Sequence, residues 1–240
     1  MDILDEGSVE GKLKGGEDLE TRSGVGVLDR SVAILSRLSE GPATLAEVVS
    51  GTGLPRPTAH RLLAALEKHH LVARAGGRYA LGSRLLGWGN RAGAMPDLVE
   101  AARPVLARLR DSVDESTQLY VREGDHRVCV VAAERKTGLK TTVAVGAVMP
   151  LDLGSAGKVL LVFSGEDRDF PEVKRRGWAV SVAEREAGVA SVSAPVFGAD
   201  GELRGAVSVS GPISRLGTRP GERLAREVER AAGEIGSSLS

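Results

Sequence analysis

The chain has 240 residues, 42% apolar and only 3% aromatic, and its 32 basic and 32 acidic side chains cancel. That length allows two ordinary domains or one large one, with a core resting on Leu, Val and Ala, and the composition is not that of a disordered chain. The single cysteine, Cys129, excludes a disulfide framework within the chain and a cysteine-rich zinc site, and it fits a reducing cytoplasm.

The charge is unevenly spread. Residues 1–23 carry three basic and seven acidic side chains, residues 24–95 nine and four, and residues 96–240 20 and 21. A basic module inside a neutral chain is expected to meet an anionic partner of its own. The opening "MDILDEGSVEGKLKGGEDLE" is acidic and Gly-rich, without hydrophobic period. It reads as a flexible tail over 1–23 and not as a signal peptide. No stretch approaches the ~18 apolar residues of a membrane span.

Three helical patterns follow. In "VLDRSVAILSRLSEG", Asp29 is expected to cap, Val32, Ile34, Leu35 and Leu38 form the apolar stripe, and Gly41-Pro42 ends the helix. In "TLAEVVSGTG", Thr44 and Glu47 have the spacing of a capping box, and Gly51 or Gly53 stops the helix. The third runs through "LPRPTAHRLLAALEKHH". Pro55 and Pro57 fall in its first turn, where a missing N–H costs little, so they stiffen its entry without breaking it. His69-His70 is expected to end it. "LVARAGGRYALG" then reads as a hairpin turning at Gly76-Gly77, with Arg74 and Arg78 beside the turn.

Three helices and a basic hairpin are the layout of a winged helix-turn-helix, expected over 24–82, with a linker helix over 83–95. Val49, Gly53, Leu54, Ala59 and Leu62 would interlock its second and third helices, and Leu62, Leu63 and Leu66 would face inward. Arg56, Pro57, Thr58, His60 and Arg61 then lie where the third helix meets the major groove of double-stranded DNA, and Arg74 and Arg78 on the wing. The helix start at Thr44 offers backbone N–H groups to phosphate.

Residues 96–240 alternate. "DLVEAARPVLARLRDSV" is helical with Pro104 as a kink or boundary, "STQLYVRE" and "HRVCVVAAE" are strands, and "LKTTVAVGAVMPL" is a third. "SAGKVLLVF" is a helix, "GWAVSV", "VASVSAPVFG" and "LRGAVSVSG" are strands, and "PGERLAREVERAAGEIGSSL" closes as an amphipathic helix. The fold class expected is α+β in two domains, the second a sandwich of one antiparallel sheet and helices.

Catalysis finds little support. His126 and Cys129 lie i, i+3 on a strand and so point to opposite faces. "GSAGKV" lacks the glycine and the Ser or Thr of a phosphate loop, with Asp152 and Val159 in those places. The histidines show no metal-ligand spacing. No enzyme activity, metal or cofactor is expected. The alternatives are a ligand-binding or dimerisation module that no longer reads DNA, or a small-molecule enzyme.

"GVGVLDRSVAILSRL", "LPRPTAHRLLAAL" and "RYALGSRLL" resemble the N-terminal domain of the IclR family of bacterial transcriptional regulators. "GAVMPLDLGSAGKVLL" and "RRGWAVSVAEREAGVASVSAPVFGADGELRGAVSVSGPISRL" resemble its effector-binding domain. The likeness spans residue 24 to about 235, in order. It implies a cytoplasmic regulator, a repressor in many members, with a winged helix-turn-helix and a GAF-like domain. It also implies a homodimer or dimer of dimers on a palindromic operator. The family's pocket positions fall on Met149, Ser155, Ala156, Ser181, Val189, Ser191, Ser208 and Ser210. Ser181 stands where the family is often acidic, so a neutral, hydroxyl-lined pocket is expected, suited to a small carboxylate or amino acid. "DHRVCVVAAER" looks closest to actinobacterial members of the NdgR type, which suggests amino-acid metabolism, leucine biosynthesis among the candidates. The segment 164–174 is shorter than the family pattern, which bears on the pocket cover and the oligomer contacts.

Overall fold

The computed structural model describes residues 23–89, 96–165 and 170–239. The expected tail, apart from Ser23, lies outside these residues, as do the linker end at 90–95 and the middle of the short segment at 166–169. The chain divides into two compact units between Ala92 and Gly93, and the architecture is α+β with two domains.

The first unit runs α1 (Gly26–Ser39), α2 (Leu45–Thr52), α3 (Arg56–Lys68), β1 (Val72–Ala75), β2 (Arg78–Leu81) and α4 (Arg84–Gly89). Its core holds Ile34, Leu38, Ala43, Val48, Leu63, Leu66, Val72 and Tyr79. Two expectations shift. Asp29 does not cap α1, which already begins at Gly26; it lies in the first turn and accepts from the Ser23 N–H at 3.1 Å and hydroxyl at 2.6 Å. An acid there faces the positive end of the helix dipole. Val49 and Leu62 are only half-buried, while Val48 and Leu63 are fully buried, so the α2–α3 crossing is centred one residue away from the expected pair. Val32 is 51% exposed and leaves the core stripe.

The capping box at α2 is complete: the Thr44 N–H donates to Glu47 Oε2 at 2.6 Å, and Thr44 Oγ1 accepts from the Glu47 N–H at 3.3 Å. Helix α3 opens at Pro55 and is capped by His69. In the wing, Ala75 pairs with Arg78 across Gly76 and Gly77, whose φ values are +56° and +77°. Two successive left-handed residues make the type I′ turn whose twist suits adjoining strands. Backbone bonds both ways between Ala43 and Tyr79, 2.8 and 2.7 Å, tie the wing to the loop before α2.

The second unit runs α5 (Pro96–Val113), β3 (Ser116–Glu123), β4 (His126–Ala133), β5 (Val148–Pro150), α6 (Ser155–Phe163), α7 (Pro171–Arg176), β6 (Ala179–Val182), β7 (Val189–Phe197), β8 (Leu203–Pro212), α8 (Ile213–Leu216) and α9 (Gly221–Ser237). The strands form one antiparallel sheet in the order β5-β4-β3-β8-β7-β6. Helices α5 and α9 cover one face, where Leu106, Leu119, Val192, Val207, Val209 and Val228 pack together. Helix α6 covers the other, with Tyr120, Cys129, Ala179 and Ala206 beneath it.

Side chains alternate along a strand. In "ASVSAPV" and "AVSVSG" the valines therefore go to the α5–α9 face and the serines to the α6 face. Pro104 does not end α5, which runs through it. Pro104 and Glu100 are both exposed, so water can take the carbonyl that the proline leaves unpaired. The third strand expected over "LKTTVAVGAVMPL" shrinks to Val148–Pro150. A turn at Val145-Gly146 interrupts it, and Thr141 and Val143 are buried as irregular chain.

Candidate functional site

Two places gather the predicted residues, one in each unit. On α3, Ala59, Leu63 and Leu66 are buried, and Arg56, Pro57, His60, Arg61 and Lys68 are exposed. The helical period produces this split: 56 and 60, and 57, 61 and 68, fall on the side away from the core. Thr58 is half-buried, because it shares a side with Leu62. Arg56, Pro57, His60 and Arg74 line one groove with Leu45, Gly77 and Tyr79. Among the described residues, neither Arg56 nor Arg61 has an ion-pair partner, which leaves two open guanidinium groups at the start of a stiff helix. Such groups can bond guanine edges bidentately or neutralise phosphates.

The wing arginines differ. The Arg74 guanidinium lies 5.3 Å from the centre of the Tyr79 ring and still reaches the groove. Arg78 donates to the Pro42 carbonyl at 2.7 Å and to Glu47 Oε2 at 3.1 Å, so it neutralises the capping carboxylate. The Thr44 N–H, and then its hydroxyl, hold that carboxyl below the usual carboxylate range, with Arg78 adding to them. Thr44, Glu47 and Arg78 thus form one brace between α2 and the wing, apart from the open groove.

In the second unit, the serines converge under α6. Ser181 pairs with Ser191 and Ser191 with Ser210; Ser193 pairs with Ser208. Ser155, at the first turn of α6, shares 2.7 Å hydrogen bonds with both Ser191 and Ser193, and the Ser210 hydroxyl donates to Gln118 at 3.1 Å. Ser155, Ala156, Ser181, Val189, Ser191, Ser208 and Ser210 line one cavity of about 30 Å³. Met149 does not line it; its sulfur lies 3.9 Å from Arg127 Nη2.

The pocket is not neutral, contrary to the expectation from its serines alone. Arg127, Arg185 and Glu186 also line it, with Tyr120, Val143 and Gly154. Arg127 is 3% exposed. Burial lowers its guanidinium pKa below the ordinary arginine value, yet an arginine stays protonated at neutral pH. A sequence signal existed: Arg127 lies i, i+2 from Cys129, and so on the buried face of β4. Arg185 and Glu186 sit in the turn after β6, and no local pattern marks them.

Cys129 lies beneath Tyr120 and α6, fully buried, and burial pushes its thiol pKa up to about 12. It should therefore resist alkylation by iodoacetamide at pH 8 in the folded chain and react in denaturant, as mass spectrometry would show; fast labelling of the native chain would contradict the packing of β4. Among the described residues no cluster of His, Cys, Asp and Glu could hold a metal ion, and no helix is long and apolar enough to cross a membrane.

Comparison with known proteins accords with this geometry. The family model for the IclR helix-turn-helix domain matches residues 27–76, and that for the bacterial transcriptional regulator IclR C-terminal region matches residues 94–169 and 167–237. The glycerol operon regulatory protein of Streptomyces griseus is 30% identical over 242 residues, which cover 88% of this chain and 95% of that protein. The HTH-type transcriptional regulator KipR of Bacillus subtilis is 26% identical over 238 residues, covering 88% and 95%. In structure, an IclR homologue from Microbacterium hydrocarbonoxydans, solved with 4-hydroxybenzoate, matches with a TM-score of 0.69 at 22% identity, over 89% of this chain and 98% of that one.

Proposed function

Since the chain belongs to the IclR family of bacterial transcriptional regulators, and is a DNA-binding regulator and not an enzyme, we propose that it is a cytoplasmic repressor released or engaged by a small carboxylate or amino acid. Residues 24–82 bind DNA, residues 83–95 link, and residues 96–240 bind the effector. The observation that carries the DNA-reading part is the pair of exposed arginines, Arg56 and Arg61, on the outer side of α3, without ion-pair partners among the described residues. The pocket supports the effector part: its serines and its buried guanidinium are hydrogen-bond donors. A carboxylate is also the class of ligand held by the Microbacterium homologue. The likeness to NdgR-type members carries the finer reading, control of amino-acid biosynthesis with leucine among the products.

A homodimer, or dimer of dimers, on a palindromic operator accounts for a further feature of the first unit. Val25, Leu28 and Val32 lie at i, i+3 and i+7 on α1 and its N-cap, and all are at least half exposed. Such a stripe at helical spacing suits burial against its own copy.

Fluorescence anisotropy tests the function. DNA from upstream of the chain's own gene should bind tightly and in preference to scrambled DNA. The affinity should fall steeply with salt, by about 0.9 log unit per log unit of salt for each phosphate neutralised. Amino acids and small acids, added to the complex, should shift the affinity. Weak binding that ignores both sequence and salt would defeat the reading.

A further inference from the structure

We propose that Arg127 is the anion-recognition residue of this pocket and that its ligand carries a single carboxylate; the inference rests on the reading of that cavity as the effector site. Arg127 Nε is, among the described residues, the one buried side-chain polar atom without a hydrogen-bond partner. The rest of the guanidinium is held by neutral groups. Nη1 donates to the carbonyls of Pro150 and of Leu153, the latter at 2.8 Å, and the ring of Tyr120 lies 5.6 Å from the guanidinium carbon. No carboxylate pairs with it among the described residues. The Asp152 carboxylate acts on Arg127 only through space, without an ion pair, and a buried cation with one donor left open is costly to the fold unless an anion completes it.

The remaining charges of the lining cancel. Arg185 and Glu186 stand 3.4 Å apart in one ion pair, so the lining carries a net charge of one cation, and that cation is Arg127. A second carboxylate on the ligand would meet Glu186 and no further cation. Around Arg127 the hydroxyls of Ser181 and Ser208 have no hydrogen-bond partner among the described residues, and the first turn of α6 opens beside them. These are the donors that a carboxylate needs for its remaining lone pairs.

The cavity of about 30 Å³ is small beside the roughly 300–1,000 Å³ of ordinary ligand pockets. Movement of a wall would enlarge it for a ligand. The wall bearing Arg185 and Glu186 is the exposed turn 183–188, where movement uncovers little apolar surface. Glu184 fastens this turn to α6, pairing with Lys158 and accepting from the Gly154 N–H at 3.4 Å.

Calorimetric titration of the full chain tests this with four sets of probes: straight-chain monocarboxylates of two to six carbons, L-amino acids, dicarboxylates, and the neutral amides of the first set. The wild type should prefer an acid to its amide by about 100-fold and to the matching dicarboxylate by about 10-fold. Plain acids against amino acids distinguish the two carboxylate sources. Arg127→Lys should keep a reduced preference. Arg127→Met should bind acid and amide alike, and its amide binding shows that the cavity is still formed. Should Arg127→Met lose all binding, the Arg127→Lys titration and the wild-type ranking decide. Undiminished acid preference in either variant, with acid binding in the wild type, overturns the role of Arg127 and leaves the effector reading intact. A wild type that binds no acid overturns both.

Discussion

Replacing Arg56 and Arg61 together by alanine should weaken binding to the preferred DNA by about 100-fold or more, at about 1–3 kcal/mol for each base pair no longer read. Both side chains are exposed on α3, and neither has an ion-pair partner among the described residues, so their removal should leave the first unit folded. The weakening should divide into a drop in sequence preference, where an arginine reads a base, and a shallower salt slope, where it neutralises a phosphate. Two comparisons locate the effect. Arg110→Ala should change nothing measurable, since that guanidinium bonds its neighbour Asp111 at 2.8 Å in the other unit. Arg78→Ala should cost less than the double α3 variant, because Arg78 is engaged by Glu47 and Pro42. Anisotropy at two salt concentrations reads all of these, and equal affinity for the double variant and the wild type would move the recognition surface off α3.

The second large effect is a reversal of sign. Gly157 lies inside α6, and by helix propensity alone alanine there should stabilise by about 1 kcal/mol. In the folded chain, a Cβ on Gly157 would overlap the Leu151 carbonyl oxygen and stand 2.9 Å from Arg127 Nη1. The backbone cannot yield cheaply there, because Arg127 pins the same loop through the Pro150 and Leu153 carbonyls. Gly157→Ala should therefore destabilise the second unit by about 3 kcal/mol, at the upper end of ordinary overpacking. That should lower its melting temperature by roughly 10 °C in calorimetry. A variant that melts at or above the wild-type temperature would mean that the loop does not cross α6 at this point. The same clash would displace Arg127, so acid binding should fall with stability.

Much of the fold is legible in local chemistry. The capping box at Thr44 and Glu47, the two prolines that open α3, the Gly76-Gly77 turn and the valine–serine alternation of β7 and β8 each act within a few residues. They mark α2, α3, the wing and two strands before any packing is known. Two elements depart from their local signals because of their surroundings. The segment after Leu139 has the apolar residues of a strand, but a turn at Val145-Gly146 takes most of it off the sheet edge. Pro104 sits inside a helix because it faces water.

Ser155, Ser181, Ser191, Ser208 and Ser210 line one cavity, yet its electrostatic setting was not readable from the family resemblance. Arg127 comes from β4, Arg185 and Glu186 from the turn after β6, and Ser155 from α6. Short-range periodicity determined by itself which faces of the strands and of α3 are apolar, and therefore where the exposed, arginine-bearing side of α3 and the serine face of the sheet lie. Only the tertiary structure decided that one buried cation stands at that serine face without an ion-pair partner among the described residues. Charge balance in a low-dielectric cavity depends on side chains that meet from distant parts of the chain.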